Sequence, residues 1–536
     1  MPADLTEQVS EATLRSLLTC KDKPQATEGD PALARCLKIA AHVFNAWTGC
    51  GARPAGLADR FLDGSIDVLE SFVRSSPQPS EQNDRLDSPD ALLRTSPGST
   101  RREVRDSRPA GLPQLEVRQA AELSYDAFVH EYMAPNRPVL IQSAANDWKA
   151  MRDWVTADGG VDIDFFEAQF GSAHVWVTDT GRQHSGCGSR RDMTVAEFAQ
   201  YWRRFQAGQE RDILYLKDWH FANEFPGYKA YQLPHYFRED WLNEYYDMRQ
   251  SAARTAPAAP AHECGDGATE AAGEPSRRQA DIVTSDYRFV YLGPKGTWTP
   301  LHADVLRSYS WSTNVCGRKR WLLLPPQHTH LLYDRFGREM APDFGLGPET
   351  ACADVLQQFP NLERAAQLVI ECIQEPGDTI FVPSGWHHTV ENLADTLSIN
   401  HNWLNGYNIH WGWELLQREY QEAAEAIEDC RPMCEPAEFE GLVQRNLAAN
   451  CGLDYRSMAD FVGAIAQREL AAIRRPGGPL PQLLAHAFNL QRAGFVLKGL
   501  AEAMARSQCA SGGAIEFGWI PGGSSDDSRR AMQLVQ

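Results

Sequence analysis

The chain has 536 residues, 43% of them hydrophobic, and carries a formal net charge of −19 at pH 7. This length predicts about two to four structural units, and the acidic balance argues against direct nucleic-acid binding and against attachment to anionic membranes. No apolar run reaches transmembrane length or forms a signal peptide, so we expect no membrane partner and a cytoplasmic, or additionally nuclear, location.

The first 112 residues lack the β-rich pattern that follows them. Residues 1–74 space apolar side chains at intervals of three and four, as in ALARCLKIAAHVFNAW, and predict a helical N-terminal segment of unassigned role. Residues 75–112 are rich in serine, proline and charge. They are predicted to form a disordered linker, because such a composition cannot bury a core.

Residues 113–412 are predicted to form one β-rich domain, in which runs such as PVLIQSA and DILYLKDWHF alternate with helical segments such as TVAEFAQYWRRFQ. The alanine-, glycine- and proline-rich residues 251–280 are predicted to be a disordered insertion, since the β pattern resumes at DYRFVYLG. Helical patterns predict a C-terminal helical region at 413–500, and the composition of 501–536 predicts a flexible tail. The predicted fold class is therefore mainly β with flanking helices (α+β).

The cysteines give little indication of a structural metal or of disulfides. Twelve are scattered over the chain, as expected for reduced thiols. The close pair Cys430 and Cys434 has no matching second pair, so a structural zinc site there is the weaker interpretation.

A histidine and an aspartate stand one residue apart in the stretch TPLHADVLRSYSWSTNVCGRKRWLLLPP. In a strand, residues two apart point to the same side, so His302 and Asp304 can bind one metal ion together. Two histidines and one carboxylate on one face of an iron ion leave positions open for substrate and dioxygen. The alternative is a surface pair without a function, because this motif is common by chance.

A third ligand is available in the stretch EPGDTIFVPSGWHHTVENL, which predicts a turn, a strand and a second turn before His387 and His388. Adjacent strand residues point to opposite faces, so one of the two histidines can join the metal. His388 shares its face with Val390 and Asn392, and we predict that it is the ligand. His387 would then orient or cap the site without binding the metal. The alternative is an ordinary pair of buried or surface histidines.

Lys319 follows in the segment CGRKRWLLLPP. Strand alternation places it on the same face as Gly317, Trp321 and Leu323, which is the more apolar face. Burying a lysine there is costly unless it meets an anion. The sequence thus indicates a lysine that binds an acidic ligand, although a lysine that reaches solvent along its own stem remains an alternative.

Together, the segments HAD, GRKRW, GDTIFVPSGWHH and ADTLSINHNW resemble the Jumonji-C class of iron(II)- and 2-oxoglutarate-dependent oxygenases. The strings YLKDWHF and YFREDWLNEYYDMR resemble its lysyl hydroxylase branch. The resemblance runs from about Ser124 to about Leu470, and it does not cover the first 110 residues or the tail. It implies a double-stranded β-helix, a cupin-like jelly roll, with helical additions at both ends.

The resemblance also implies roles for individual residues. His302, Asp304 and His388 correspond to the iron ligands. Other residues correspond to the 2-oxoglutarate pocket: Lys319 and Tyr215 bind the distal carboxylate, Thr299 lines the pocket, and Asn400 stands where several relatives have threonine. Ser312 stands where a related hydroxylase has asparagine and is not assigned.

The implied reaction uses dioxygen and 2-oxoglutarate, releases succinate and carbon dioxide, and hydroxylates a protein. The branch implies a lysine side-chain carbon of the eukaryotic translation-termination release factor as the target. A histone N-methyl-lysine demethylase is an alternative, but such enzymes usually carry His-x-Glu and chromatin-reading modules. A metal-binding jelly-roll interaction protein without activity is a further alternative.

Overall fold

The computed structural model describes residues 112–181, 190–255, 286–346, 353–475 and 480–511. The predicted N-terminal helical segment 1–74, the linker up to residue 111 and the insertion from residue 256 onwards lie outside the described residues. None of the helices in the described ranges combines the length and the apolar character that a membrane crossing requires.

Within the described ranges, thirteen strands form two facing sheets, a major sheet of nine strands and a minor sheet of four. The order in the major sheet is β1-β2-β11-β8-β13-β6-β5-β3-β4, and in the minor sheet β10-β9-β12-β7. The strands are β1 Val117–Gln119, β2 Val139–Gln142, β3 His174–Asp179, β4 Arg190–Thr194, β5 Leu214–Trp219, β6 Arg288–Gly293, β7 Trp298–His302, β8 Tyr309–Cys316, β9 Lys319–Leu324, β10 Ile370–Gln374, β11 Thr379–Val382, β12 His387–Asn392 and β13 Thr396–Trp403. Most neighbours pair antiparallel, as the predicted jelly roll requires.

Alternation along the strands creates a polar interior between the sheets. In β8, Ser310 and Ser312 point inward, whereas Tyr309 and Trp311 point outward into an aromatic core under the helices. The outer face of the minor sheet packs its leucines, such as Leu322 and Leu324, against two short helices. Burying polar side chains inside a barrel costs free energy unless they form hydrogen bonds or bind a ligand. The polar interior is therefore a candidate ligand site.

The helices surround the sheets, and several of them begin at a side-chain cap. They are α1 Tyr125–Phe128, α2 Ala150–Asp153, α3 Ile163–Phe170, α4 Val195–Gln206, α5 Phe221–Glu224, α6 Trp241–Thr255, α7 Ala353–Gln358, α8 Leu362–Ala366, α9 Ile409–Glu425, α10 Pro436–Cys451, α11 Tyr455–Arg474 and α12 Leu480–Ser511. Helix α4 starts with a capping box of Thr194 and Glu197, which satisfies otherwise unpaired backbone N–H groups. The side chain of Asp454 caps α11 by accepting a hydrogen bond from the backbone N–H of Ser457.

Helices α9 to α12 form a separate apolar core with α6. Two predicted boundaries were wrong here. Helix α12 continues to Ser511, into the segment 501–536 that we predicted to be flexible, because Ala503 and Met504 are buried against the neighbouring helices. Helix α6 extends to Thr255, which removes residues 251–255 from the predicted insertion.

Candidate metal centre and active-site pocket

His302, Asp304 and His388 lie together at one end of the space between the sheets. One potential ligand atom from each residue falls within 4.8 Å of the other two. Nε2 of His302 is 4.0 Å from Oδ1 of Asp304, and the two imidazole rings are 4.3 Å apart between centroids. Two imidazoles and one carboxylate in such a cluster are the donor set of non-haem Fe(II) oxygenases.

Both histidines are oriented by backbone carbonyls. Nδ1 of His302 donates to the carbonyl oxygen of Pro300 at 2.8 Å, and Nδ1 of His388 donates to the carbonyl oxygen of Trp386 at 3.1 Å. Because Nδ1 carries the proton in each ring, Nε2 is the atom left to bind a metal. Withdrawal from water and nearby positive charge lower the pKa of His302 below its usual range, so the ring is neutral as a ligand must be.

An irregular pairing between β7 and β12 determines which side chains of β7 share the face of His302. His302 pairs with His388, but Thr299, three residues earlier, pairs with Val390, two residues later. The additional residue in β7 is a bulge, and it puts Thr299 on the same side of the sheet as His302. The structure therefore brings Thr299 to the inward face, where we expected it, although regular alternation would have placed it outside.

Asp304 is held by the turn that follows it. Leu306 and Arg307 both have left-handed backbone conformations, with φ of 55° and 49°, and the backbone N–H of Arg307 returns to the carbonyl of Asp304. This turn delivers Ser310, whose hydroxyl donates to Oδ2 of Asp304 at 2.6 Å. Left-handed conformations cost about 1–3 kcal/mol each in residues other than glycine and concentrate at functional sites.

His387 lies on the opposite face of β12 from His388. Its ring donates to the hydroxyl of Thr329 at 3.2 Å and is approached at 3.5 Å by a guanidinium nitrogen of Arg307. Burial, together with the charge of Arg307, lowers the pKa of His387 to about 3. His387 thus faces away from the cluster, and it contacts the turn that holds Asp304.

Lys319 lies deeper between the sheets and is only 2% exposed. It starts β9, pairs across to Gln374 on one side and Asn392 on the other, and shares its inward face with Trp321, which is 5.6 Å from the His388 ring. Among the described residues no side chain forms an ion pair with it. Burial, with repulsion from Lys217, lowers the pKa of Lys319 to about 7.

Tyr215 forms the wall beside this lysine. The tyrosine is 3% exposed, and its hydroxyl interacts with the side chain of Asn392, the residue paired with Lys319. A Cβ at Gly293 would stand 2.5 Å from both the Tyr215 ring and the hydroxyl of Thr297. Glycine at this position is therefore what gives the tyrosine its room.

The remaining inward positions supply further polar atoms. The hydroxyl of Ser312 donates to Oδ1 of Asn400 at 3.1 Å, so the unassigned Ser312 and the expected Asn400 lie side by side. Oδ1 of Asn392 and Oγ of Ser398 are buried without hydrogen-bond partners among the described residues. The Lys319 ammonium group and the Ser398 hydroxyl can both donate hydrogen bonds to an acidic ligand, whereas Oδ1 of Asn392 can only accept one.

Sequence reasoning did not identify Asn392, Thr297 or Ser310 as site residues. The amide of Asn392 donates to the hydroxyl of Thr297 at 2.8 Å. A signal was present, because Asn392 is a polar residue on the same strand face as His388. Ser310 carried a similar signal, as it stands on the serine-lined side of β8.

Comparisons with known proteins agree with this geometry. A family model described as a cupin-like domain matches residues 125–409. The chain is 46% identical over 350 residues to the arginine-specific demethylase JMJ20 of Arabidopsis thaliana, covering 65% of this chain and 69% of that protein. It is 37% identical over 391 residues to the 2-oxoglutarate and iron-dependent oxygenase JMJD4 of Danio rerio (69% and 82% covered), and 35% identical over 362 residues to JMJD4 of Homo sapiens (67% and 77%).

The cupin-like match spans more than half of the chain, and the described strands build the corresponding jelly roll with its helical additions. Both JMJD4 relatives are named as 2-oxoglutarate and iron-dependent oxygenases, and the donor set of two histidines and one carboxylate described above fits iron(II). The chain belongs to the cupin-like Jumonji-C family of iron(II)- and 2-oxoglutarate-dependent oxygenases.

Proposed function

We propose that the protein is a hydroxylase of protein side chains, with iron held by His302, Asp304 and His388. Lys319 and Tyr215 hold the distal carboxylate of 2-oxoglutarate in this proposal. Thr299 and Asn400 complete the pocket wall.

The observation that carries this proposal is the combination of the three-residue cluster with an unpaired, buried lysine in the same cavity. Either feature alone has ordinary explanations. A fully buried ammonium group without a carboxylate is costly by several kcal/mol, so a cavity that keeps one beside a metal-binding cluster is built for an acidic ligand. The alternative of an inactive interaction protein gives no reason to retain both.

The chain's own residues have three tasks in the reaction. Lys319 anchors and orients the cosubstrate by a charge-assisted hydrogen bond, and His302, Asp304 and His388 would hold the metal together. Bound iron(II) supplies the oxygen activation that no side chain can provide. The surrounding aromatic and aliphatic residues limit water, which protects the oxidant from side reactions.

The target we propose is a lysine side-chain carbon of the eukaryotic translation-termination release factor. Relatives named JMJD4 at 35–37% identity support the oxygenase branch, and the His-x-Asp motif agrees with hydroxylases rather than with most demethylases. On this proposal the release factor is the partner, and the enzyme works in the cytoplasm.

Mass spectrometry of purified release factor after incubation with the protein, Fe(II) and 2-oxoglutarate tests the proposal. One lysine should gain a single oxygen atom, with one succinate released per modified lysine. The His302→Ala, Asp304→Ala double variant is the control and should give neither product. An unmodified release factor under conditions in which the protein consumes 2-oxoglutarate would reject this substrate.

Demethylation of N-methyl-arginine is the second candidate, because the relative with 46% identity is named an arginine-specific demethylase. The two activities share the same first step, since a hydroxylated N-methyl group decomposes to formaldehyde. Formaldehyde release from methyl-arginine peptides, with no oxygen retained on the product, would favour this candidate. The methyl-lysine alternative is tested in the same assay with methyl-lysine peptides.

A further inference from the structure

A lysine that our sequence reasoning did not assign lies beside the proposed cosubstrate pocket. Lys217 follows Tyr215 by two positions in β5, so strand alternation places the two side chains on the same face. Its ammonium nitrogen is 5.7 Å from the centre of the Tyr215 ring. Among the described residues, no side chain forms an ion pair with it within 4.0 Å, and it is only partly exposed.

A bulge in β5 interrupts the regular pairing at Lys217 and Asp218. Leu216 pairs with Leu292 and Trp219 pairs with Val290, so two residues, Lys217 and Asp218, stand opposite the single Tyr291 of β6. Asp218 is left-handed, with φ of 56°, and its carboxylate accepts a 2.8 Å hydrogen bond from the Tyr291 hydroxyl. Bulges of this kind redirect side chains next to active sites.

The pairing also gives the depth of Lys217 in the cavity. Tyr215 lies against Gly293, at the level of Lys319 and Asn392. Lys217 lies one pair further along β5, opposite Tyr291, which pairs with Ser398 of β13. Continuing along β13, Asn402 pairs with Ser310, which holds Asp304. Lys217 is therefore nearer to the metal cluster than Tyr215 is.

We propose that Lys217 is a second positioning residue for 2-oxoglutarate, which binds the carboxylate at the metal-binding end of the molecule. The proposal rests on the pocket assigned under Proposed function. 2-Oxoglutarate carries one carboxylate at each end, so Lys319 and Lys217 each have an anionic partner.

Charge supports the cosubstrate rather than the protein substrate as the partner of Lys217. The two lysines repel each other, and this repulsion contributes to the lowered pKa of Lys319. A dianion between them removes the repulsion. The proposed protein targets, lysine and methyl-arginine, are cations, which an unneutralised Lys217 would repel.

Binding of two 2-oxo acids to the Mn(II)-loaded protein separates the roles of the lysines. 2-Oxoglutarate has both carboxylates, whereas 2-oxobutanoate lacks the distal one. Lys217→Met should weaken the binding of both acids by a similar factor of about 10 to 100, which is the effect of a lost charge-assisted hydrogen bond. Lys319→Met should strongly weaken the binding of 2-oxoglutarate and leave the affinity for 2-oxobutanoate nearly unchanged.

Controls separate this role from a structural one. Lys217→Arg keeps the charge and should recover most of the affinity, and Lys295→Met, at an exposed loop lysine, should bind both acids as the wild type does. Metal content should be the same in all variants. Wild-type affinity for both acids in Lys217→Met would overturn the proposal, as would a loss confined to 2-oxoglutarate, which would place Lys217 at the distal end. Unchanged 2-oxoglutarate affinity in Lys319→Met would instead contradict the pocket assignment itself.

Discussion

Replacing Lys319 by methionine should make the protein more stable and unable to use its cosubstrate. The folded protein lowers the pKa of Lys319 to about 7, whereas a lysine in an unfolded chain has a pKa of about 10.4. Keeping this lysine therefore costs about 4 kcal/mol at neutral pH. Methionine has a similar length and no charge, so we expect the ligand-free variant to gain about 1–4 kcal/mol in unfolding free energy.

The lowered pKa of Lys319 also determines how stability and 2-oxoglutarate binding depend on pH. Between pH 7 and about 10 the unfolded chain binds one proton more at this position than the folded protein does, so wild-type stability should rise with pH in this window. Lys319→Met should lack the part of this stability increase that comes from Lys319. Binding a carboxylate requires the ammonium form, so the dissociation constant of 2-oxoglutarate should increase about tenfold per pH unit above pH 7.

Two measurements test these expectations, and Lys295→Met is the control for both. Chemical denaturation of the ligand-free protein at pH 7 and 9 gives the stability difference. Calorimetric titration with 2-oxoglutarate in buffers of different ionisation enthalpy gives the affinity and the proton uptake. In Lys319→Met we expect 2-oxoglutarate binding to weaken by about 3–5 kcal/mol, with no proton uptake. A variant that is less stable than the wild type and retains 2-oxoglutarate affinity would refute the reasoning.

Three further tests, with four substitutions, probe the site. His388→Ala should abolish iron binding, whereas His387→Ala should keep the metal and lower activity by about 10- to 100-fold, as measured by iron content and succinate release. Ser310→Ala removes the hydroxyl that holds the aspartate ligand, and should weaken metal binding by about 10- to 100-fold in a competition with a chelator. Gly293→Ala should crowd the Tyr215 ring, cost about 1–3 kcal/mol in stability, and raise the KM for 2-oxoglutarate.

Each of the three tests has a matched variant and an outcome that would contradict it. Iron bound by His388→Ala but lost from His387→Ala would show that the ligand assignment is wrong by one residue. Ser312→Ala, on the same strand face but bonded to Asn400, should leave metal affinity unchanged; equal effects of both serine variants would contradict the role of Ser310. Gly227→Ala, where a Cβ meets nothing within 4 Å, should be neutral, and a neutral Gly293→Ala would contradict the crowding argument.

Strand alternation and turn signals offered the grouping of His302, Asp304 and His388 as one possibility, and the family resemblance implied it. The same alternation predicted the inward direction of Lys319, which is 2% exposed. His388 and Lys319 follow the regular two-residue period of their strands, which can be read from a single segment, whereas Asp304 lies in the turn that follows β7. The burial cost of a lysine was likewise readable, because its neighbours on the strand are apolar.

What local patterns did not predict depends on pairing between distant segments. The bulge that places Thr299 beside His302 arises from the register of β7 with β12, and the depth of Lys217 in the cavity depends on the register of β5 with β6. An extra residue in a strand leaves no mark on hydrophobic periodicity. Helix α12 was cut short in the prediction because the glycine- and serine-rich stretch that begins at Ser511 was taken to represent all of 501–536. Packing against neighbouring helices buries Ala503 and Met504.

The central claim is that iron held by His302, Asp304 and His388 transfers oxygen to a protein side chain. Reaction of the wild-type protein and the His302→Ala, Asp304→Ala variant with release factor under isotope-labelled dioxygen tests it most directly. The account predicts one labelled oxygen on a lysine of the release factor and one labelled succinate for each turnover of the wild type, and neither product from the variant. Labelled succinate without label on the release factor would contradict the proposed substrate, and equal products from the wild type and the variant would contradict the metal site.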